Sequence, residues 1–264
     1  MNKVFNVLRL QLAVTFAYRG TILFWLLIHM IGFIVMYAFW TAVFSDRESF
    51  NGFMLTSMLQ YILFANIIRE FVLVAPEYEI NNDIRSGKLS SYLLRPFSYP
   101  LHIILSSSLW HLVEIFFALL LYGLVGYLIL GNSIWISEPQ LLLYILPLLF
   151  IGHIFCSLLS LILGSLAFWL TEASAFFYYK DILILLSAGL FFPRATTPLW
   201  FQQIMDVLPF YSCIGLPAEI LVHKSTIETL LPALAHVSLW TLLLLIIAYP
   251  VWKHGIKKYE AVGN

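Results

Sequence analysis

The chain has 264 residues, of which 61% are hydrophobic and 17% aromatic, while only 11% carry a charge. A soluble domain carries roughly a quarter charged residues, so this composition excludes one and points to a multi-pass membrane protein. Fourteen Lys and Arg balance fourteen Asp and Glu, and without a basic tail or patch a nucleic-acid partner is excluded.

In chain order, residues 1–19 mix Lys3, Asn6, Arg9 and Arg19 with Phe5, Leu8, Leu12 and Phe16. That pattern predicts an amphipathic helix lying along the cytoplasmic membrane surface. The apolar run behind it is longer than the roughly 7–15 residues of a signal-peptide core and lacks an A-x-A-like site, so the segment is expected to stay in the mature protein. A span needs about 20 apolar residues to cross about 30 Å of hydrocarbon. Residues 20–44, 54–75, 101–130, 141–170, 178–193 and 233–252 supply six such runs, which predicts an all-α integral membrane protein organised as one transmembrane domain. Gly131-Asn132 closes the third run, and Ser137-Glu138-Pro139 precedes the fourth as a helix start.

Residues 194–232 break this rhythm. Prolines at 193, 198, 209, 217 and 232 divide them into short pieces. One piece places Trp200, Phe201, Ile204, Met205 and Leu208 on a single helical face against Gln202, Gln203 and Asp206, as an interface-lying or re-entrant helix would. Orientation follows from the cations near the span ends. With the N-terminus inside, Lys3, Arg9, Arg19, Arg69, Arg85, Lys88, Arg95, Lys180, Lys253, Lys257 and Lys258 are cytoplasmic, leaving Arg47, Arg194 and Lys224 outside. Both termini, including the tail 253–264, are therefore expected in the cytoplasm, and 194–232 on the far side.

The longest polar interruption is the loop 76–100, whose residues 77–100, EYEINNDIRSGKLSSYLLRPFSYP, carry Glu77, Glu79, Asp83, Arg85, Lys88 and Arg95 around Gly87. Asn81-Asn82-Asp83 can cap a short helix that Gly87 ends, and a second piece begins at the serines and is closed by Pro96. Two surface helices offering Leu93, Leu94 and Arg95 could dock into a groove on a soluble protein. An ordinary solvated connector reads equally well from these residues. Within the third span, Glu114 lies near mid-membrane with His111 one turn before it. Ionisable groups at that depth face a bundle interior or a cavity. The pair is either a polar contact on a transport path, a bond to a second subunit, or a local structural clasp. Gly152, Cys156, Ser160 and Gly164 recur every four residues along the fourth span and permit close helix approach. His29, His153 and His236 are isolated, and two cysteines, Cys156 and Cys213, give no disulfide or metal framework. The chain contains no G-x-x-x-x-G-K-[ST], no H-E-x-x-H, no G-x-S-x-G and no Cys/His cluster. A nucleotide hydrolysed by a P-loop must belong to another subunit, and no catalytic, cofactor-binding or metal residue is expected here.

Three landmarks resemble the membrane subunits of ABC-2 type exporters, in particular the daunorubicin-type and related permeases. They are IRSGKLSSYLLRP (84–96) after the second span, GLFFPRATTPLWFQQIMDVLPF (189–210) after the fifth, and WKHGIKKYEAVGN (252–264) at the end. The resemblance covers essentially the whole chain. It implies a permease of a bacterial cytoplasmic (inner) membrane that pairs with an identical or sibling permease. Two copies of a separate ABC ATP-binding subunit would carry ATP and Mg. It also implies that Glu77, Asp83, Arg85, Ser86, Gly87, Lys88, Leu93, Leu94, Arg95 and Pro96 form the element that couples to the ATPase. Export of a drug-, lipid- or peptide-like amphiphile is the expected activity. A membrane anchor that recruits a soluble partner and transports nothing is the alternative. A secondary transporter would need more acids at mid-membrane than Glu114.

Overall fold

The computed structural model describes residues 19–134, 136 and 138–259. Of the surface helix expected at 1–19, residues 1–18 lie outside the described residues, as do the side chain of His29 and the final residues 260–264, and Arg19 begins the first described helix. Within them the chain is helical, with one isolated antiparallel bridge, Phe50 to Phe53, in the turn after the first helix.

Helix α1 (Arg19–Val43) leads into this turn, and α2 (Leu55–Val72) follows it. The N-terminus of α2 is held by Ser57, whose hydroxyl exchanges bonds with the Met54 backbone at 3.1 and 3.0 Å. α2 is the centre of the bundle: Met58, Tyr61, Ile62, Leu63, Ala65 and Val72 are all fully buried. It also carries Asn66, Arg69 and Glu70, polar groups a lipid-facing helix could not afford. Asn66 satisfies itself by donating to the Ile62 carbonyl at 2.8 Å.

Pro76 ends the extended link after α2, and α3 (Glu77–Arg85) starts directly behind it. Glu77 and Glu79 occupy its first turn, where the helix dipole favours carboxylates. Asn81-Asn82-Asp83 therefore sit in the body of α3 and do not cap it, because the helix begins one turn earlier than their capping chemistry suggests. Gly87 has φ +78°, a left-handed turn only glycine adopts without strain, and it separates α3 from α4 (Leu89–Leu93). Helix α5 (Tyr99–Leu130) opens with Pro100 in its first turn and ends at Gly131. It is followed by α6 (Gln140–Ser165) and α7 (Ser174–Ser187).

Helix α7 stops at Ser187, short of the expected 193. Gly189 turns the chain at φ +78°, and the carbonyls beyond it are taken by side chains of other helices instead of by α7's own amides. At 14 residues it is about 21 Å long, less than a hydrocarbon core. The prolines then produce α8 (Leu199–Val207), α9 (Pro209–Cys213) and α10 (Gly215–Leu221), with α8 bent by 74° from the α9–α10 stretch. On α8 only Met205 of the expected apolar face is buried; Trp200 and Ile204 are exposed. Helix α11 (Leu230–Lys258) closes the described fold. Among the described residues, Leu55–Arg85, Tyr99–Ile134, Gln140–Phe168 and Ile227–Lys258 are each long and apolar enough to cross a membrane, and the bent pair could supply a fifth crossing.

α11 packs along α6, and α5 along α2. The outer faces of α5 and α11 expose Leu112, Phe116, Leu120, Leu128, Leu239 and Ile246, as lipid-facing surfaces do. The small residues of α6 serve contacts within the chain. A Cβ on Gly152 would lie 3.1 Å from the Cys213 sulfur, and one on Gly164 would lie 2.7 Å from Ile80 Cβ and 3.0 Å from Glu77 Cα. Cys156 is buried, and Ser160 donates to the Val74 carbonyl at 3.1 Å. Gly164 thus seats α3, Ser160 holds the link before it, and Gly152 packs against Cys213 and Val72.

Candidate functional site: a helix pair docked beside a polar cleft

The expected coupling residues divide into two sets. Glu77 and Asp83 are fully buried and turned into the bundle, not towards a partner. Burying a carboxylate requires compensation, and each has it. Lys180 of α7, itself only 7% exposed, pairs with Glu77 and with Asp181, the latter at 3.2 Å. Asp83 accepts from the Tyr99 hydroxyl at 2.9 Å and lies 3.0 Å from the Lys88 ammonium. The hydrogen bond and charge of Asp83 hold Lys88 above the usual lysine range. Leu89, at the start of α4, is buried as well.

The second set faces away. Leu94 is 89% exposed, and Leu93 and Phe97 are exposed beside it. Arg85, Ser86, Arg95 and Pro96 are exposed too, and Gly87 is half-buried. Arg95 is ordered by stacking 4.4 Å over the Tyr92 ring, and Arg85 reaches Glu172 at 3.5 Å. α3 and α4 therefore form a platform, held from below by buried charge and presenting leucines and arginines above.

Next to this platform lies a cleft of about 1000 Å³ between α2, α3, α5, α6 and α7. One face of α5 lines it at helical spacing: Ser106, Ser107, Trp110, His111 and Glu114. Glu114 accepts from the Trp110 indole at 2.9 Å, and its other oxygen lies 2.8 Å from His111 Nδ1. The two side chains therefore lie in contact, although His111 Nδ1 makes no hydrogen bond there, and both border open space. Arg69 lies 3.4 Å from Glu70 on the α2 wall.

Sequence reasoning missed Lys180 as a partner, counting it only as a cytoplasmic charge. Its setting, FFYYKDILILL, was the available signal, since a lysine amid such apolar residues requires a counter-ion. His153 and His236 are satisfied singly: His153 bridges Ser108 at 2.7 Å and the Phe71 carbonyl at 3.2 Å, and His236 contacts the Val207 carbonyl at 3.1 Å. Among the described residues no group of three or more His, Cys, Asp or Glu is placed to hold a metal ion.

No curated protein is significantly similar to this chain. The family model for the ABC-2 family transporter protein matches residues 20–263, so the chain belongs to the ABC-2 transporter family, whose members are membrane permeases that associate with an ABC ATP-binding subunit.

Proposed function

We propose that this chain is the permease subunit of an ATP-driven exporter, with ATP hydrolysed by a separate subunit that docks on α3 and α4. The observation that carries this reading is the two-sided construction of the platform. Its inner acids are locked to α5 and α7, while Leu94, Leu93, Arg85 and Arg95 are left on the surface. An apolar pair flanked by arginines suits a helix-in-groove contact. A push on α4 would pass through α3 and the Glu77–Lys180 pair to α7. Nucleotide acts in such a system only by favouring one arrangement over another.

In this reading two ATP-binding subunits serve two permeases, identical or sibling. The second permease meets exposed apolar residues of α7 such as Phe176, Ile182 and Leu186. On this reading the chain crosses a bacterial inner membrane six times, with α7 as a short crossing and both termini in the cytoplasm, and the cargo is an amphiphile moved outward. The chain itself binds no nucleotide. Leu94→Asp combined with Arg95→Glu tests the docking surface, since neither side chain supports the fold from within. The expected result is loss of the ATP-binding subunit from the purified complex. Undiminished co-purification and export would remove α4 as the dock.

A further inference from the structure

The cleft beside α5 has an unequal chemistry. Its walls are mostly apolar, from Leu73 and Leu159 to Ile184 and Leu185. Among the described residues its polar lining carries four carboxylates, Glu70, Glu79, Glu114 and Asp181, against two permanent cations, Arg69 and Lys180. Both cations are held by carboxylates, Arg69 by Glu70 and Lys180 by Glu77 and Asp181. Lys180 is moreover only 7% exposed.

Hydrogen-bond accounting on α5 points the same way. Ser106 donates to the Ile103 carbonyl at 3.1 Å and Ser107 donates to it at 2.9 Å, so both hydroxyls have only lone pairs left for the cleft. The Trp110 N–H is committed to Glu114. Each Glu114 oxygen has one contact within the protein and retains a second lone-pair direction. Glu114 lies 15 residues into α5, about 22 Å along the helix, where a carboxylate gains most from a counter-charge. Trp110 adds an aromatic face next to that carboxylate, and Tyr178 lines the α7 wall.

We propose that this cleft binds a lipophilic monovalent organic cation, with apolar walls around its body and the Trp110-oriented Glu114 carboxylate as its counter-ion. The inference rests on the permease reading for the direction of movement, but binding is independent of it.

The test uses the complex with its ATP-binding subunit in nanodiscs, with empty nanodiscs subtracted. Radiolabelled tetraphenylphosphonium is compared with tetraphenylborate, which has nearly the same shape and the opposite charge. The phosphonium is expected to bind at least about tenfold more tightly than the borate. Glu114→Gln is expected to weaken the phosphonium about tenfold and leave the borate unchanged. Glu79→Gln, on an exposed residue of the same wall, is expected to weaken it about threefold, and keeps the test available if the Glu114 variant does not assemble. Equal binding of the two ions, or wild-type affinity in both variants, overturns the site. A complex that exports cargo but shows either of those results leaves the permease reading standing without this site. Charge-selective binding that nucleotide never alters supports the site and removes the permease reading.

Discussion

At the α3 end of the bundle the short helices are fastened by charge: Glu77 to Lys180, and Asp83 to Tyr99 and Lys88. At the opposite end the segment after α7 is fastened mainly by neutral donors on backbone carbonyls, with the exposed Arg194–Asp206 pair and the Lys224 ammonium beside them. Tyr61 donates to Gly189 at 2.7 Å, Trp40 to Phe191 at 3.1 Å and Asn51 to Ala195 at 2.9 Å. Lys224 adds a bond to the Gly52 carbonyl at 2.5 Å. The two solutions have different tolerances. A carbonyl bond is directional and weakens steeply off its axis, whereas an ion pair survives a shift of its partners. The charged contacts therefore tolerate a shift of their partners better than the carbonyl bonds do.

The largest expected effect tests the charged end. Lys180→Met leaves Glu77 as an uncompensated buried charge and should cost about 3–5 kcal/mol, Glu77→Gln should cost less because Lys180 keeps Asp181, and the double variant should recover most of the Lys180→Met loss. Thermal unfolding of the purified chain in detergent measures all three. A double variant as unstable as Lys180→Met would show that packing, not charge, sets the cost, and the contrast between the ends would disappear. At the neutral end Tyr61→Phe leaves the Gly189 carbonyl without its donor, at about 1–3 kcal/mol. Gly189→Ala should be at least as harmful. It forces a side chain into φ +78° and places its Cβ 2.5 Å from the Tyr61 hydroxyl.

The difference between the ends also explains what could be read from the sequence. Long apolar runs and the breaks at Gly87 and Gly131 were legible, because hydropathy and left-handed turns are written locally. So was the surface character of Leu94 and Arg95. The inward direction of Glu77 was not, because its partner lies 103 residues away and no local pattern pairs them. The shortness of α7 was hidden for a similar reason. Residues 188–193 are apolar enough to continue a helix, yet Trp40 and Tyr61 take their carbonyls from a distance. His111 and Glu114 were recognised as a pair from their spacing, but the cleft beside them requires α2, α6 and α7 to be in place.

The smallest effect belongs to the Arg194–Asp206 pair, which has the best geometry of any ion pair in the described residues. Its two parallel bonds measure 2.6 and 2.5 Å, the fork arrangement in which arginine binds carboxylate most favourably. Its side chains are nevertheless 36% and 48% exposed, so water and salt compete for both charges. Asp206→Asn should therefore cost only about 0.5 kcal/mol, shrinking further as ionic strength rises from 0.05 to about 0.5 M. Glu77→Gln should by contrast be nearly indifferent to salt, since no ion reaches its partner. A loss above about 2 kcal/mol for Asp206→Asn would mean that bond geometry outweighs burial in this protein. In that case the neutral end, which Arg194 anchors through α8, would be as charge-dependent as the other.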